Sequence, residues 1–300
     1  MKVLLSGSSG LVGSALIPVL VGGGQQVVRL VRSQPAPGAS EVRWDPEAGE
    51  INKAALEGVE AAVHLAGESI AAGRWTAARK ARILESRVKG TQLLAESLAA
   101  LDPPPKVLVS ASGVHYYGDR GDEALTEDSG SGSALFLANV CRRWEAEAEP
   151  AATVGIRVVN LRFGVILSAN GGALPRLLTP FRMGVGGRLG SGNQYMAWIA
   201  VDDAIGAIVH ALTTEALRGP VNAVAPQAVT NREFTKTLGR VLGRPTLFPM
   251  PAFAARLAFG QMADELLLAS QRVEPAKLQA SGYRFRFPDL EGALRHLLGK

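Results

Sequence analysis

Short apolar runs and longer amphipathic stretches alternate through the first half of the chain. The runs KVLL, QVVRLVR, AAVHLAG, KVLVSAS and IRVVNLRFGVIL are rich in Val, Leu and Ile. Between them, LVGSALIPVLVGG, ARILESRVKGTQLLAESLAAL and FLANVCRRWEAEAEPA carry helical spacing. Strand then helix, repeated, implies right-handed crossovers and a parallel sheet covered on both faces. The strands read as continuous apolar runs rather than alternating ones, as burial on both faces requires. The pattern therefore predicts an α/β chain built on a doubly wound parallel sheet.

After Phe163 the texture changes. SANGGALPRLLTPFRMGVGGRLGSGNQYMAWI is Gly-rich and irregular. VDDAIGAIVHALTT reads as a helix with Asp residues near its start, where the helix dipole favours them. GPVNAVAP reads as a strand and turn, and TNREFTKTLGRVLGR as a helix capped by Thr or Asn. We expect a first region over 1–163, its sheet completed by parts of 196–225. A smaller C-terminal α/β lobe over 164–300 is interleaved with it.

Composition narrows the function classes. The chain has 300 residues, 47% hydrophobic and 20% charged, which is ordinary for a soluble globular protein. No apolar run reaches the roughly 18 residues that a membrane span needs. The start MKVLLSGSS lacks the long apolar stretch of a secretory signal. The single Cys141 forms no internal disulfide, which fits a reducing, cytoplasmic setting. Net charge is +5 with the basic residues scattered, so neither nucleic acid nor membrane is an expected partner. The isolated histidines form no metal-ligand spacing, and no G-x-S-x-G elbow marks a hydrolase. The expectation is a monomer or homodimer acting on a small molecule.

The stretch LSGSSGLVGSAL carries the strongest chemical signal. Gly7, Gly10 and Gly13 fall at intervals of three between an apolar strand and a helix. In a dinucleotide-binding turn the first glycine permits the tight turn. The second lets backbone approach a pyrophosphate, and the third lets helix and strand pack closely. The phosphate charge then sits on unpaired N–H groups at the helix start. The second strand ends in Val31-Arg32, where NAD-binding chains place a carboxylate for the ribose 2′-hydroxyl. A guanidinium there suits a 2′-phosphate, so the expected cofactor is NADP(H). Arg29, in the same strand, reads as a surface charge.

Taken together, GSSGLVG, VHLAGESI, RWTAARKARILESRVKGTQLL, SASGVHYYGDRGDEALTEDS, FLANVCRRWE, LRFGVIL, GSGNQYMAWI and LGRPTLFPMP with GYRFRFPDL resemble the extended short-chain dehydrogenase/reductases. The chain is most similar to their atypical nucleoside-diphosphate-sugar epimerase-like branch, also labelled cell-division-inhibitor-like. The resemblance covers nearly the whole chain and implies a Rossmann-type domain with a C-terminal substrate lobe. It implies that Gly7, Ser9, Gly10, Leu11, Val12 and Gly13 cradle the pyrophosphate and that Arg32 meets the 2′-phosphate. Leu65, Ala66 and Gly67 would line the path from adenine ribose to nicotinamide, with Glu68 beside them. Arg87 stands where related enzymes often have asparagine. Arg82 lies about 500° away around the helix, so the two face differently and one of them is expected to reach cofactor phosphate.

The family's chemistry uses a Ser/Thr with a Tyr-x-x-x-Lys pair. Placing FLANVCRRWE on that helix puts Leu137 at the tyrosine and Cys141 at the lysine, and neither can do the work. Ser112 is the expected surviving hydroxyl, with Ser110, Tyr116 and Tyr117 as substitutes and His115 among them. The Gly-rich loop offers Arg182, Arg188, Gln194 and Tyr195 toward a substrate, a nucleotide sugar or another carbonyl or alcohol. Trp75 and Trp198 read as packing residues. Two functions remain open: an NADP(H)-dependent epimerase-like oxidoreductase with a nonstandard proton donor, and a catalytically silent NADP(H)-binding redox sensor or regulator.

Overall fold

An eight-stranded sheet organises the computed structural model, which describes residues 1–132 and 135–300. The elements that position the site are β1 (Lys2–Ser6), α1 (Leu11–Gly22), β2 (Gln26–Val31), β3 (Glu41–Asp45), β4 (Glu50–Ile51), β5 (Ala61–His64), α2 (Ala77–Ala99), β6 (Val107–Gly113), α3 (Phe136–Ala146) and α4 (Glu149–Thr153). The sheet runs 219–223, 157–163, β6, β5, β1, β2, β3, β4. Every neighbouring pair is parallel except the terminal β3–β4 pair, which is antiparallel.

The continuous apolar runs are explained by burial of both faces. Val3 and Leu5 point to a core shared with α1 and the helix Val201–Thr213, through Leu16, Leu20, Ile205 and Ile208. Leu4, one residue out of phase, joins the opposite core with Leu94, Leu98 and Ala151 of α2 and α4. Each such Leu or Val contributes ~1.5–3 kcal/mol relative to exposure, so both phases of the strand must be apolar. β2, hydrogen-bonded between β1 and β3, is less completely covered, and its residues Gln26 and Arg29 reach solvent.

The chain leaves β1 toward β2 and β3, then returns to place β5 on the other side of β1. The order reverses between β1 and β5, and in such sheets a crevice opens there at the carboxyl ends of the strands. A third core, with Leu174, Phe181, Trp198, Phe234 and Leu294, lies under the C-terminal region. The strand Gly219–Ala223 belongs to the main sheet although it follows 164–218 in sequence, so the two regions interleave. Asp202 and Asp203 sit in the first turn of the helix Val201–Thr213. Asp203, fully buried, spends its carboxylate on the C-terminal loop, accepting from Arg286 N, Phe287 N and Tyr283 OH. The helix Asn231–Leu242 is capped by Thr230 in a reciprocal capping box with Glu233.

Candidate cofactor and active site

The glycine turn sits over the crevice. Gly7 has φ +69°, a left-handed conformation that favours glycine, and a Cβ there would stand 2.7 Å from the Leu65 carbonyl carbon. Gly13 faces back into the turn; a Cβ on it would fall on the Gly7 carbonyl oxygen and 2.9 Å from Ser8 Cα. Gly10 differs, because its Cβ would meet only Gly7 O, at 3.3 Å. The space that Gly10 keeps clear is outside the protein. Gly10 is also the N-cap of α1, with extended backbone and no side chain capping the helix. The amides of Leu11, Val12 and Gly13 are thus the unpaired donors of a helix start, a place that suits an anion. Ser9 is exposed beside them.

Arg32 follows β2 directly, on the strand next to β1, and is exposed. It has no ion pair among the described residues. Arg29 instead pairs with Glu41 of β3. At the exit of β5, the amides of Leu65 and Ala66 donate to Ser6 Oγ, at 3.1 and 3.3 Å. Having accepted twice, the Ser6 hydroxyl directs its proton to His64 Nδ1, 2.7 Å away. His64 is fully buried; burial first, then the Arg87 charge, lowers its pKa to about 4, so it is neutral at pH 7.

Glu68 is tied to α2 at three points. Its amide donates to Ser86 Oγ, its carbonyl accepts from Arg87 Nη1, and its carboxylate pairs with Arg79 at 3.1 Å. The two arginines separate as their helical spacing implies. Arg87 lies on the buried stripe of α2 with Ile83, Gly90 and Leu94. Its guanidinium stacks 4.8 Å over the Trp144 ring and approaches Gly67, where a Cβ would lie 3.3 Å from Nη2. Burial lowers its pKa; the Glu68 carboxylate, and the Cys141 thiolate once that forms at high pH, oppose the shift. Arg82 is exposed on the outer face.

At the end of β6, Ser112 is 4% exposed and donates its proton to Glu145 Oε1 of α3, at 2.6 Å. Arg162 grips the same carboxylate with Nε and Nη2, at 2.8 and 2.7 Å. Its Nη1 donates to Tyr117 OH at 2.9 Å, and that hydroxyl donates to Asn222 Oδ1 at 2.7 Å. The Arg162 guanidinium also lies 3.5 Å from the Tyr116 ring centre. Burial opposes the Arg162 charge, but the hydrogen bonds and charge of Glu145 outweigh it and raise the pKa. Burial likewise raises Tyr117, with Arg162 opposing. Ser112 thus enters as the end of a buried network spanning β6, α3 and the strands 157–163 and 219–223.

Leu137 and Cys141 are both buried in α3, at 3% and 5% exposure. Burial, then the Glu145 charge, pushes the Cys141 thiol up to about 11, so it is a neutral thiol at pH 7. His115 lies across Gly113 from it: a Cβ on Gly113 would be 3.4 Å from His115 Nδ1 and 3.7 Å from Cys141 Sγ. Burial and the Arg87 charge lower His115 to about 4. Ser110 is buried and bonds only weakly to its neighbour's carbonyl, at 3.5 Å.

The Gly-rich loop is more self-contained than its composition implies. The Gln194 amide donates to the carbonyls of Leu189 and Leu267, both at 3.0 Å, and Arg188 donates to Ser191 O. Arg182 is exposed, and Tyr195 lies 5.6 Å under the Arg272 guanidinium. Trp75 packs edge-on to Phe136, and Trp198 is 1% exposed with its indole on Gln227 O. Four residues that carry this site were not singled out by sequence: Ser6, Arg79, Glu145 and Arg162. A lone arginine inside the apolar run VVNLRF was the available signal for the last, since a buried cation demands a carboxylate.

A doubly wound sheet with a glycine turn over its switch point defines a nucleotide-binding protein of the extended short-chain type. Comparison with known proteins narrows that class. Residues 3–223 match the NAD dependent epimerase/dehydratase family, and the chain belongs to it. Residues 250–297 match a domain of unknown function, DUF1731. An epimerase family protein of Mycobacterium tuberculosis is 43% identical over 97% of this chain and 96% of its own length. The human epimerase family protein SDR39U1, solved with NADPH, is 37% identical with a TM-score of 0.92, over 100% of this chain and 99% of that one. The UDP-N-acetylglucosamine 4-epimerase of Bacillus cereus, at 18% identity, TM-score 0.77 and coverage of 99% and 95%, shares the fold.

Proposed function

We propose that the chain is an NADP(H)-binding, epimerase-like oxidoreductase that works without the Tyr-x-x-x-Lys pair. The observation that carries the reading is the uncapped start of α1 beneath Gly10, with the unpaired Arg32 on the adjacent strand end. The NADPH in the human relative supports the same cofactor. The turn fits the group: Gly7 and Gly13 shape it, Ser9 and Gly10 keep its outer side small, and the amides of Leu11, Val12 and Gly13 are free to meet a pyrophosphate. Arg32 would take the 2′-phosphate. Leu65, Ala66 and Gly67 would line the crevice with Arg87 behind them, which leaves Arg82 outside. Glu68 supports that wall through its ties to α2.

When bound, NADP(H) would give or accept a hydride. The chain's own part is to hold a carbonyl or alcohol and manage a proton. Ser112 keeps its proton on a carboxylate that Arg162 already neutralises. With its one proton committed there, the hydroxyl can accept from and orient a substrate alcohol rather than protonate a carbonyl. The substrate is a small carbonyl or alcohol, with nucleotide sugars among the candidates. A second reading has an observation of its own: Leu137 cannot titrate and Cys141 is a neutral thiol, so a protein that binds the cofactor and turns nothing over fits the same site.

Transfer of deuterium from 4-deuterated NADPH to a panel of nucleotide sugars and small carbonyls separates the two. Label in a product, lowered by roughly 10²-fold in Ser112→Ala with unchanged NADPH affinity, supports the enzyme and its hydroxyl. Undiminished transfer in that variant removes Ser112 from the chemistry. Tight NADPH binding with no transfer supports the silent reading.

A further inference from the structure

The C-terminal region carries an apolar face that lies outside the buried cores. Met183 and Val185 are 72% and 50% exposed; Leu247, Phe248, Phe253 and Leu257 are 75%, 60%, 72% and 76% exposed. Two backbone bonds, Gly190 N to Met250 O and Met250 N to Arg188 O, both 2.9 Å, join the segments that bear them. Gly187 presses against the Phe248 carbonyl so closely that no side chain fits between. The helix Ala252–Phe259 follows at once, and of its residues only Ala255 is buried. Phe253 and Leu257, one turn apart, point the same way, into solvent. Large apolar side chains gathered like this mark an interaction surface, whereas scattered ones need no explanation.

Charge and shape select the occupant. Neither 182–192 nor 243–259 contains Asp or Glu, while Arg182, Arg188 and Arg244 are exposed and without ion pairs among the described residues. Arg256, the remaining arginine, is paired with Asp264. A second copy docked face to face would bring two like-charged patches together, because a two-fold contact uses the same patch on both sides. Exposure near three-quarters means that the side chains project outward rather than line a groove, so they do not form a slot for a peptide. Projecting Phe and Leu flanked by arginine suit the interface of an anionic bilayer, where rings enter the acyl boundary and guanidiniums meet lipid phosphate. We propose that this face docks the protein peripherally on anionic lipid surfaces. No helix among the described residues is long and apolar enough to cross a membrane, and none is needed. The proposal departs from the expectation, read from sequence, that no membrane is a partner. It stands independently of the cofactor reading.

The test is cosedimentation with vesicles of phosphatidylcholine alone and of phosphatidylcholine and phosphatidylglycerol in equal parts. Binding is expected only to the anionic vesicles, weakening as salt rises. The double variant Phe253→Asp/Leu257→Asp should lower binding roughly tenfold or more, since charge at these depths opposes insertion. Arg188→Glu/Arg244→Glu should weaken binding and flatten its salt dependence. Unchanged melting temperature and NADPH affinity would show that both variants fold. Equal binding to both vesicles, no binding to either, or undiminished binding by the Phe253/Leu257 variant overturns the proposal. So does a dimer in sedimentation velocity that the same substitutions dissolve, since the face would then be a contact between copies.

Discussion

Gly10 and Gly13 are three residues apart in one turn, yet a side chain on each should fail for different reasons. Gly10 has φ −76° and ψ 172°, open to any residue, and its Cβ would meet only one oxygen, at 3.3 Å. Gly10→Val should therefore cost the free protein no more than about 1 kcal/mol, the usual penalty for a poor N-cap. That is roughly 2 °C in melting temperature at this chain length. The Gly13 Cβ has no room beside Gly7 and Ser8, so Gly13→Val must lever α1 off the turn, an overpacking cost of at least ~3 kcal/mol, or roughly 6 °C. Cofactor adds the second axis. NADPH at a hundred times its dissociation constant should stabilise the parent by about 2.7 kcal/mol, or roughly 5 °C. In Gly10→Val that gain should vanish, because the valine stands where pyrophosphate must approach. Scanning fluorimetry with and without NADPH reads all four numbers. A Gly10→Val protein that keeps the NADPH shift, or a Gly13→Val protein as stable as the parent, would refute this reading of the turn.

Arg32→Ala should remove a preference for NADPH over NADH of roughly tenfold to a hundredfold, measured by calorimetry; an unmutated protein with equal affinities for the two would contradict the assignment. Glu145→Gln strands Arg162, which is 2% exposed, and should lower stability by ~3–5 kcal/mol in urea unfolding. Adding Arg162→Met should restore part of that, and strictly additive losses would show that the two do not act as a pair. Acid should weaken the fold through His64: its pKa is about 4 when folded against 6.5 for the free side chain, so the unfolded chain takes up protons first as pH falls. The contribution is complete above about 6.5 and lost toward 4, by at most ~3 kcal/mol. His64→Gln should flatten the stability–pH curve in that window, and an unchanged slope would remove His64 as the cause.

Local patterns were legible in the sequence where one segment alone determines the structure. The glycine turn was so, because strand, turn and helix start are contiguous. The split between Arg82 and Arg87 was too, because helical spacing puts only Arg87 on the stripe of Ile83 and Leu94. What stayed hidden depends on how distant segments meet. Arg29 is neutralised by Glu41, which reaches it only through the register of β2 with β3. Arg162 advertises a need for a carboxylate, but nothing in its spacing chooses Glu145, a helix and a crossover away. Gln194 sits in a loop whose composition suggests ligand contacts; the amide is consumed by carbonyls at Leu189 and Leu267, since buried loop backbone must find donors within the protein.

The first two amides of α3 are satisfied by a residue made much later in synthesis. Phe136 N and Leu137 N donate to the buried carboxylate of Glu265, at 3.1 and 2.8 Å. Glu127 does similar work, accepting from Asn222 N and Lys277 N at 3.0 and 3.1 Å. As the chain emerges from a ribosome, α1 and the first strands can settle on their own. The helix that bears Cys141 and Glu145 has no cap until some 120 further residues have appeared. A chain that stops before residue 260 would leave α3 without the carboxylate that caps its first turn. That species would be open to degradation rather than quietly competent. The segment around Glu265 therefore acts as a late fastener, closing the start of α3 only once it has been made and has folded back.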